Sequence, residues 1–472
     1  MPTSSSLVIS EDDESALCAP TDGSQTTSRV IEAQGLTVLP ASSYASFLSK
    51  VAKARKPSPI RGLYPLEQTP GVISLLAGKP NAALFPFINV QFTVPNLDNS
   101  GPMLLSVDED LLSMGLQYAP TNGIQPMVEW LTLFQEQEHR RGRGEGWRVS
   151  VTAGSQDAIY KAIQALVDPG DPVLIEKPVY AGVIPIFETL HCEMIEVETD
   201  VDGLKSLSLR EILENWSTSK PKPKVLYTVP YGCNPTGATT ALTRRKEVLD
   251  LSREHSFLVL EDDPYYFMYF GAHSRIPSYF MLEAQTGDRS VGHVLRFDSF
   301  SKILSAGIRI GFVTGPAPLL DAIDRHTATA NLQPSSFSQA IILTLLRSWG
   351  REGLLAHIHT VAKFYREKRD VFEAAMRRHL HDLAEWNTPE AGMFFWFKLL
   401  LGDDGDSARL IQTKAFEGGV LALPGTVFTP SGARTTYVRA SFSLLEEGQV
   451  NEALRRLRVV ILKERGLTGG FS

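Results

Sequence analysis

Ser299-Phe300-Ser301-Lys302-Ile303-Leu304-Ser305-Ala306-Gly307-Ile308-Arg309-Ile310-Gly311 sets a lysine beside two hydroxyl-bearing residues and, seven positions on, an arginine. A lysine that attacks an aldehyde must shed its proton, and partial burial next to another cation lowers its pKa. Ser299, Ser301 and Arg309 are donors suited to a phosphate dianion, the arginine through a planar fork that matches the phosphate oxygens. These are the needs of an enzyme that carries pyridoxal phosphate on Lys302. A lysine among serines is also an ordinary surface residue, so the reading depends on its surroundings.

From about residue 95 to 365, short β-branched runs alternate with longer helical patterns, the signature of an α/β layer fold. The expected strands cover 148–152, 172–176, 193–198, 224–228, 257–261, 293–297 and 310–314, with helices over 156–167 and 240–254 among them. This order predicts a mostly parallel seven-stranded sheet between helices, with ligands at the carboxyl ends of its strands. A long amphipathic helix over 364–380, then strands near 393–397 and 436–440, predict a smaller α+β domain. The expected organisation is a disordered tail over 1–45 and an arm with part of the small domain over 46–94. A large cofactor-binding domain over 95–364 and a carboxyl-terminal small domain over 365–472 complete it.

Composition narrows the class. The 472 residues exceed one compact core, and 43% hydrophobic with 21% charged residues and a net charge of -7 describe an ordinary globular protein. No basic excess points to nucleic acid, and no apolar run reaches membrane-spanning length. Cys18, Cys192 and Cys233 form neither a disulfide framework nor a metal-ligand pattern, so no metal is expected. The tail is rich in Ser and Thr, and Glu11-Asp12-Asp13-Glu14 precede the first arginine, Arg29. That is unlike a mitochondrial presequence, and a cytoplasmic protein is expected.

Four further segments carry chemistry. Glu261-Asp262-Asp263-Pro264-Tyr265-Tyr266 follows the apolar run 257–260. A carboxylate there can pair with a pyridinium nitrogen, and a tyrosine three residues on can bond the ring's phenolic oxygen. Asp262 with Tyr265 and Asp263 with Tyr266 share this spacing; the first pair is preferred because Asp262 lies nearer the strand. Asn234, in Tyr231-Gly232-Cys233-Asn234-Pro235-Thr236-Gly237, can donate to the same oxygen, although these residues also make plain turns. Ser155 and Gln156 fall between a strand and a helix, where a phosphate meets free N–H groups, or where Ser155 merely caps the helix. Tyr180 is a candidate for stacking on the ring. Arg439, inside the apolar run Tyr437-Val438-Arg439-Ala440, calls for a carboxylate partner if it is buried.

These segments, in this order, resemble the class I/II pyridoxal-phosphate aminotransferases of fold type I, in particular the branch of 2-aminoadipate/kynurenine and fungal aromatic amino acid aminotransferases. The resemblance runs from about Arg55 to Arg439. It implies Lys302 as the attachment and proton-carrying residue, Asp262 and Tyr265 at the ring, and Asn234 beside its oxygen. It further implies Ser155, Gln156, Ser299 and Arg309 around the phosphate, Tyr180 against the ring and Arg439 at the substrate carboxylate. Tyr118, in Gln117-Tyr118-Ala119-Pro120, matches a tyrosine that reaches the neighbouring subunit's phosphate, which implies a homodimer with shared active sites. Arg55-Lys56-Pro57-Ser58-Pro59-Ile60-Arg61 and Ser74-Leu75-Leu76-Ala77-Gly78-Lys79-Pro80-Asn81 carry the branch assignment, with Gly78 bordering substrate and Arg61 as a mobile cation. Lys79 departs from the second glycine common in relatives.

The expected activity is transfer of the amino group of an aromatic L-amino acid (Phe, Tyr or Trp) to 2-oxoglutarate by a ping-pong mechanism. A 2-aminoadipate/kynurenine transaminase is the nearest alternative; a lyase or decarboxylase on the same cofactor, or a non-catalytic regulator, are alternatives of other classes. Leu84, Phe85, Phe394 and Phe395 are candidate pocket walls.

Overall fold

Eight strands in chain order build the central sheet: β1 (Trp147–Thr152), β2 (Pro172–Lys177), β3 (Glu193–Asp200), β4 (Gly203–Leu204), β5 (Val225–Thr228), β6 (Leu258–Asp262), β7 (Val294–Ser299) and β8 (Gly311–Pro316). Their spatial order in the computed structural model is β1-β8-β7-β6-β5-β2-β3-β4. The structure describes residues 35–466 apart from 77, 99, 403 and 404. Pairs β2–β3, β2–β5, β5–β6 and β6–β7 are parallel, whereas β8 runs antiparallel to both its neighbours. Strands β5 and β6 are buried along their whole length because helices cover both faces, which is why they read as continuous apolar runs.

All seven expected strands are present. The eighth, β4, pairs antiparallel with the end of β3 and has only two residues, too short to leave a period-2 pattern. The helices expected over 156–167 and 240–254 are Ser155–Leu166 and Leu242–His255.

A second, antiparallel sheet follows, formed by β9 (Ala384–Trp386), β10 (Phe394–Leu399), β11 (Leu423–Pro424) and β12 (Tyr437–Ser441) in the order β9-β10-β12-β11. Its own apolar cluster joins Phe372, Met376, Phe395, Phe397, Val438 and Leu454. The helix Ser336–Leu380 runs through residue 365 and is interrupted only at Gly350, whose φ of 62° and ψ of −175° are non-helical. Residues 37–45, which composition places in the tail, fold onto the body. Thr37–Val38 pairs with Ser290–Val291, and buried Tyr44 donates to the Gly292 carbonyl at 3.2 Å. The expected disorder of 1–34 lies outside the described residues. Among the described residues, no helix is long and apolar enough to cross a membrane.

The pleat sorts the charges at the strand ends. Glu261 and Asp263 turn to one face of β6 and meet Arg296 of β7, at 3.3 Å and 2.8 Å. Arg296 also holds Asp298 through both Nε (3.0 Å) and Nη2 (2.8 Å). The Arg296, Glu261 and Asp263 side chains are wholly buried, and Asp298 is nearly so. Removing the cation strands three carboxylates in low dielectric. Arg296→Met should cost about 3–5 kcal/mol of unfolding free energy by denaturant titration; a loss below about 1 kcal/mol would mean that the acids carry little charge there.

Candidate active site

Local backbone geometry at the end of β1 creates a cradle. Gly154 has a φ of 94° and precedes the first residue of the helix Ser155–Leu166. A Cβ on Gly154 would lie 2.4 Å from Arg309 Nη2, and one on Gly311 would lie 2.8 Å from the Ser155 N. Only glycines let the two segments approach this closely. Arg309 itself donates to Ser301 Oγ (3.2 Å), the Ala306 carbonyl (3.1 Å) and the Ala153 carbonyl (3.1 Å). Ser299 Oγ accepts from the Ser301 N–H at 3.1 Å. A guanidinium, serine hydroxyls and the open N–H groups of a helix's first turn therefore meet, as anion binding requires. Ser155 makes no side-chain cap. The Gln156 side chain instead donates to the Gly182 carbonyl at 2.8 Å, and Gly182 lies under the Tyr180 ring.

Asp262 ends β6 on the face opposite Glu261 and Asp263. Its Oδ2 accepts from the Tyr227 hydroxyl at 2.5 Å, while Oδ1 is buried with no hydrogen-bond partner. Burial, partly offset by that hydrogen bond, pushes its carboxyl up to about 7. Asp263 is committed to Arg296, and the Tyr266 ring lies under the Arg275 and Arg296 guanidinium groups. Tyr265 is buried with its ring edge-on to Phe394, and burial followed by the Asp262 charge raises its hydroxyl pKa. The same two causes act on Tyr180.

Opposite, Arg439 of β12 donates from Nη1 to Asn234 Oδ1 at 2.7 Å. Its guanidinium sits 4.1 Å from the Phe394 centroid and 5.1 Å from that of Phe428, and its Nε is buried without a partner. Burial first, then the Arg309 and Arg439 charges, lower the Lys302 pKa. Asn234 is presented by a turn anchored beneath: Glu176 of β2 accepts from Thr228 Oγ1 (2.6 Å), the Val229 N–H (3.1 Å) and Cys233 Sγ (3.4 Å).

The structure thus brings together Lys302, Asp262, Tyr265, Tyr180, Asn234, Ser155, Ser299, Ser301, Arg309 and Arg439. Three candidates stand apart. Arg61 bonds the Ala119 carbonyl, Thr121 Oγ1 and Gln333 Oε1; Tyr118 is half exposed; Gly78 has nothing within 4 Å of an added Cβ. Lys79 pairs with Glu67 at 2.9 Å. Of the wall candidates, Phe394 faces Arg439, whereas Phe395, next along the pleat, stacks on Phe372 in the second core, and Leu84 is exposed. Tyr227 and Glu176 escaped the sequence reading because each lies in a strand that reads simply as apolar. Among the described residues, no cluster suits a metal.

The residues present fit pyridoxal phosphate: Asp262 Oδ1 is an orphaned buried acceptor for a protonated ring nitrogen, and the Gly154–Arg309 cradle suits its phosphate. A mostly parallel sheet with these groups and a low-pKa lysine at its strand ends defines a pyridoxal-phosphate transferase of fold type I. The model of the family "Aminotransferase class I and II" matches residues 114–457. The chain is 42% identical to "Aminotransferase tdiD" of Emericella nidulans, over 87% of this chain and 94% of that protein. It is 39% identical to the bovine "Kynurenine/alpha-aminoadipate aminotransferase, mitochondrial" (Bos taurus), over 89% and 99%. A Pyrococcus horikoshii kynurenine aminotransferase, solved "in complex with PMP, KYN as substrates and KYA as products", superposes with a TM-score of 0.69 at 29% identity, covering 89% of this chain and 97% of that one. The chain belongs to the aminotransferase class I and II family, and it is a pyridoxal-phosphate-dependent transaminase.

Burial pushes Glu176 up to about 7 from an ordinary value of 4.5. Its contribution to stability is complete below the unfolded value and is lost as pH rises through the folded one. Cofactor-free protein should therefore lose up to about 1.4 kcal/mol per pH unit from this group between those limits. Urea unfolding at pH 5, 6 and 7.5 should give a shallower decline for Glu176→Gln than for the wild type; equal slopes would mean that Glu176 ionises freely.

Proposed function

We propose that the enzyme moves the amino group of an aromatic L-amino acid to 2-oxoglutarate, with Arg439 as the anchor of the α-carboxylate. The observation that carries this reading is Arg439 itself: it is half-buried, bonded to Asn234 and seated on Phe394 and Phe428, and its buried Nε has no partner. A fixed guanidinium over an aromatic floor accepts a carboxylate next to an apolar side chain. Lys302 is the attachment residue, and once freed by the incoming amine it takes the α-proton and returns it, which its lowered pKa favours. When bound, pyridoxal phosphate supplies the electron sink for the pair left on the α-carbon. Asp262 faces the ring nitrogen, Tyr265 and Asn234 its phenolic oxygen, and Tyr180 its plane. Ser155, Ser299, Ser301 and Arg309 hold the phosphate; Gln156 contributes its backbone N–H, because its side chain is engaged with Gly182.

Gly78, Arg61 and Tyr118 complete the site across a homodimer. The support is the apolar surface of the arm: Ile73, Leu75 and Ile88 are each more than 90% exposed in the single chain. Arg61 is the cation that meets the distal carboxylate of 2-oxoglutarate and withdraws for an aromatic ring. The cytoplasm is the proposed compartment. The bovine relative's name favours a second reading, with kynurenine or 2-aminoadipate as donor.

Three measurements test these roles. Lys302→Ala should lose about 10²–10⁴-fold in transfer rate and yield no borohydride-fixed adduct on its peptide; an adduct elsewhere would displace Lys302. In a donor panel against 2-oxoglutarate, Phe, Tyr and Trp should exceed 2-aminoadipate and kynurenine, and the opposite order would install the second reading. Arg61→Ala should raise KM for 2-oxoglutarate about tenfold more than for phenylpyruvate; equal losses would remove the switch.

A further inference from the structure

Asp262 is the one carboxylate that β2, β5, β6 and β7 put on its face of the sheet. The parallel register sets Tyr227 beside Leu260, Ile175 beside Tyr227 and Phe297 beside Asp262, so Ile175, Tyr227, Leu260, Leu295 and Phe297 share that face; Glu196 and Glu198 fall on it three strands away, where they pair with Lys177. The acids at the ends of the neighbouring strands point to the opposite face: Glu261, Asp263 and Asp298 gather at Arg296, and Glu176 of β2 is bonded to Thr228. Burial, and after it the charges of Asp263, Glu176 and Asp298, make the ionised form of Asp262 harder to hold. Against them stands one donor, the hydroxyl of wholly buried Tyr227, at 2.5 Å from Oδ2. A carboxylate with one oxygen tied has its torsion fixed, and the other oxygen is then aimed.

We infer that Tyr227 is a positioning residue: it clamps Oδ2 of Asp262, aims Oδ1 at the cofactor's ring nitrogen and keeps that carboxylate charged, so that the nitrogen stays protonated. This rests on the reading that Asp262 faces the ring nitrogen. Tyr227 touches neither cofactor nor substrate; its effect passes entirely through Asp262. Phenylalanine would keep the ring's packing in the core and delete only the donor.

The test uses cofactor-free full-length protein and two ligands: pyridoxal phosphate, and its carbocyclic analogue with C–H in place of the ring nitrogen. Binding is followed by quenching of protein fluorescence. Tyr227→Phe should bind pyridoxal phosphate about tenfold more weakly, equivalent to about one unit on the Asp262 pKa, and bind the analogue as the wild type does. Carboxyl ¹³C resonances should place the Asp262 titration in the cofactor-free variant at higher pH, because a donor to the charged form is gone. Equal weakening of both ligands would make Tyr227 merely structural, and unchanged affinity for both would make it idle; either overturns the inference. Asp262→Ala separates the two levels of argument. If that variant removes the preference for the nitrogen-bearing ligand while Tyr227→Phe retains it, only the role of Tyr227 fails. If Asp262→Ala itself retains the preference, the placement of Asp262 fails and takes the inference with it.

Discussion

A single buried guanidinium organises the heart of this protein. Arg296 is enclosed by Glu261, Asp263 and Asp298, and four such charges can be buried only when paired and hydrogen-bonded. The backbone amides of Tyr279 and Phe280 and the Gln135 side chain take up acceptor capacity that Arg296 leaves over. Once Glu261 and Asp263 are committed to that face, the pleat leaves Asp262 no alternative but the other. The direction in which Asp262 points thus follows from an ion cluster on the other face of the sheet.

Much of this was legible in the sequence. The seven main strands were visible because burial on both faces leaves uninterrupted apolar runs, and the site residues follow directly after them. The choice between Asp262 with Tyr265 and Asp263 with Tyr266 was not, since spacing alone treats both pairs alike; Arg296, thirty-odd residues away in the chain, separates them. Tyr227 and Glu176 were hidden for a related reason. A polar atom at the tip of a strand residue announces itself only when its partner, from a strand remote in sequence, is known. Two-residue β4 and the folded segment at residues 37–45 were missed because such short pieces acquire structure from tertiary contacts rather than from local pattern.

The glycines have unequal duties. Gly154 holds a φ of 94° that other residues rarely adopt, and Gly311 is irreplaceable on steric grounds, since the backbone of Asp298, Gly154 and Ser155 lies 2.8 Å from where its Cβ would be. Gly232, at a φ of 47°, lets the Asn234 turn press against the backbone of Ala391. Gly78, by contrast, has nothing within 4 Å of an added Cβ.

The hydrogen bond from Arg439 to Asn234 ties the two sheets together, for one residue belongs to β12 and the other to the turn that leaves β5. That bond uses one N–H of the guanidinium, and the Nε of the same group lies buried without a partner. A change in the setting of this one side chain is therefore shared by both sheets, with no movement of the main chain required.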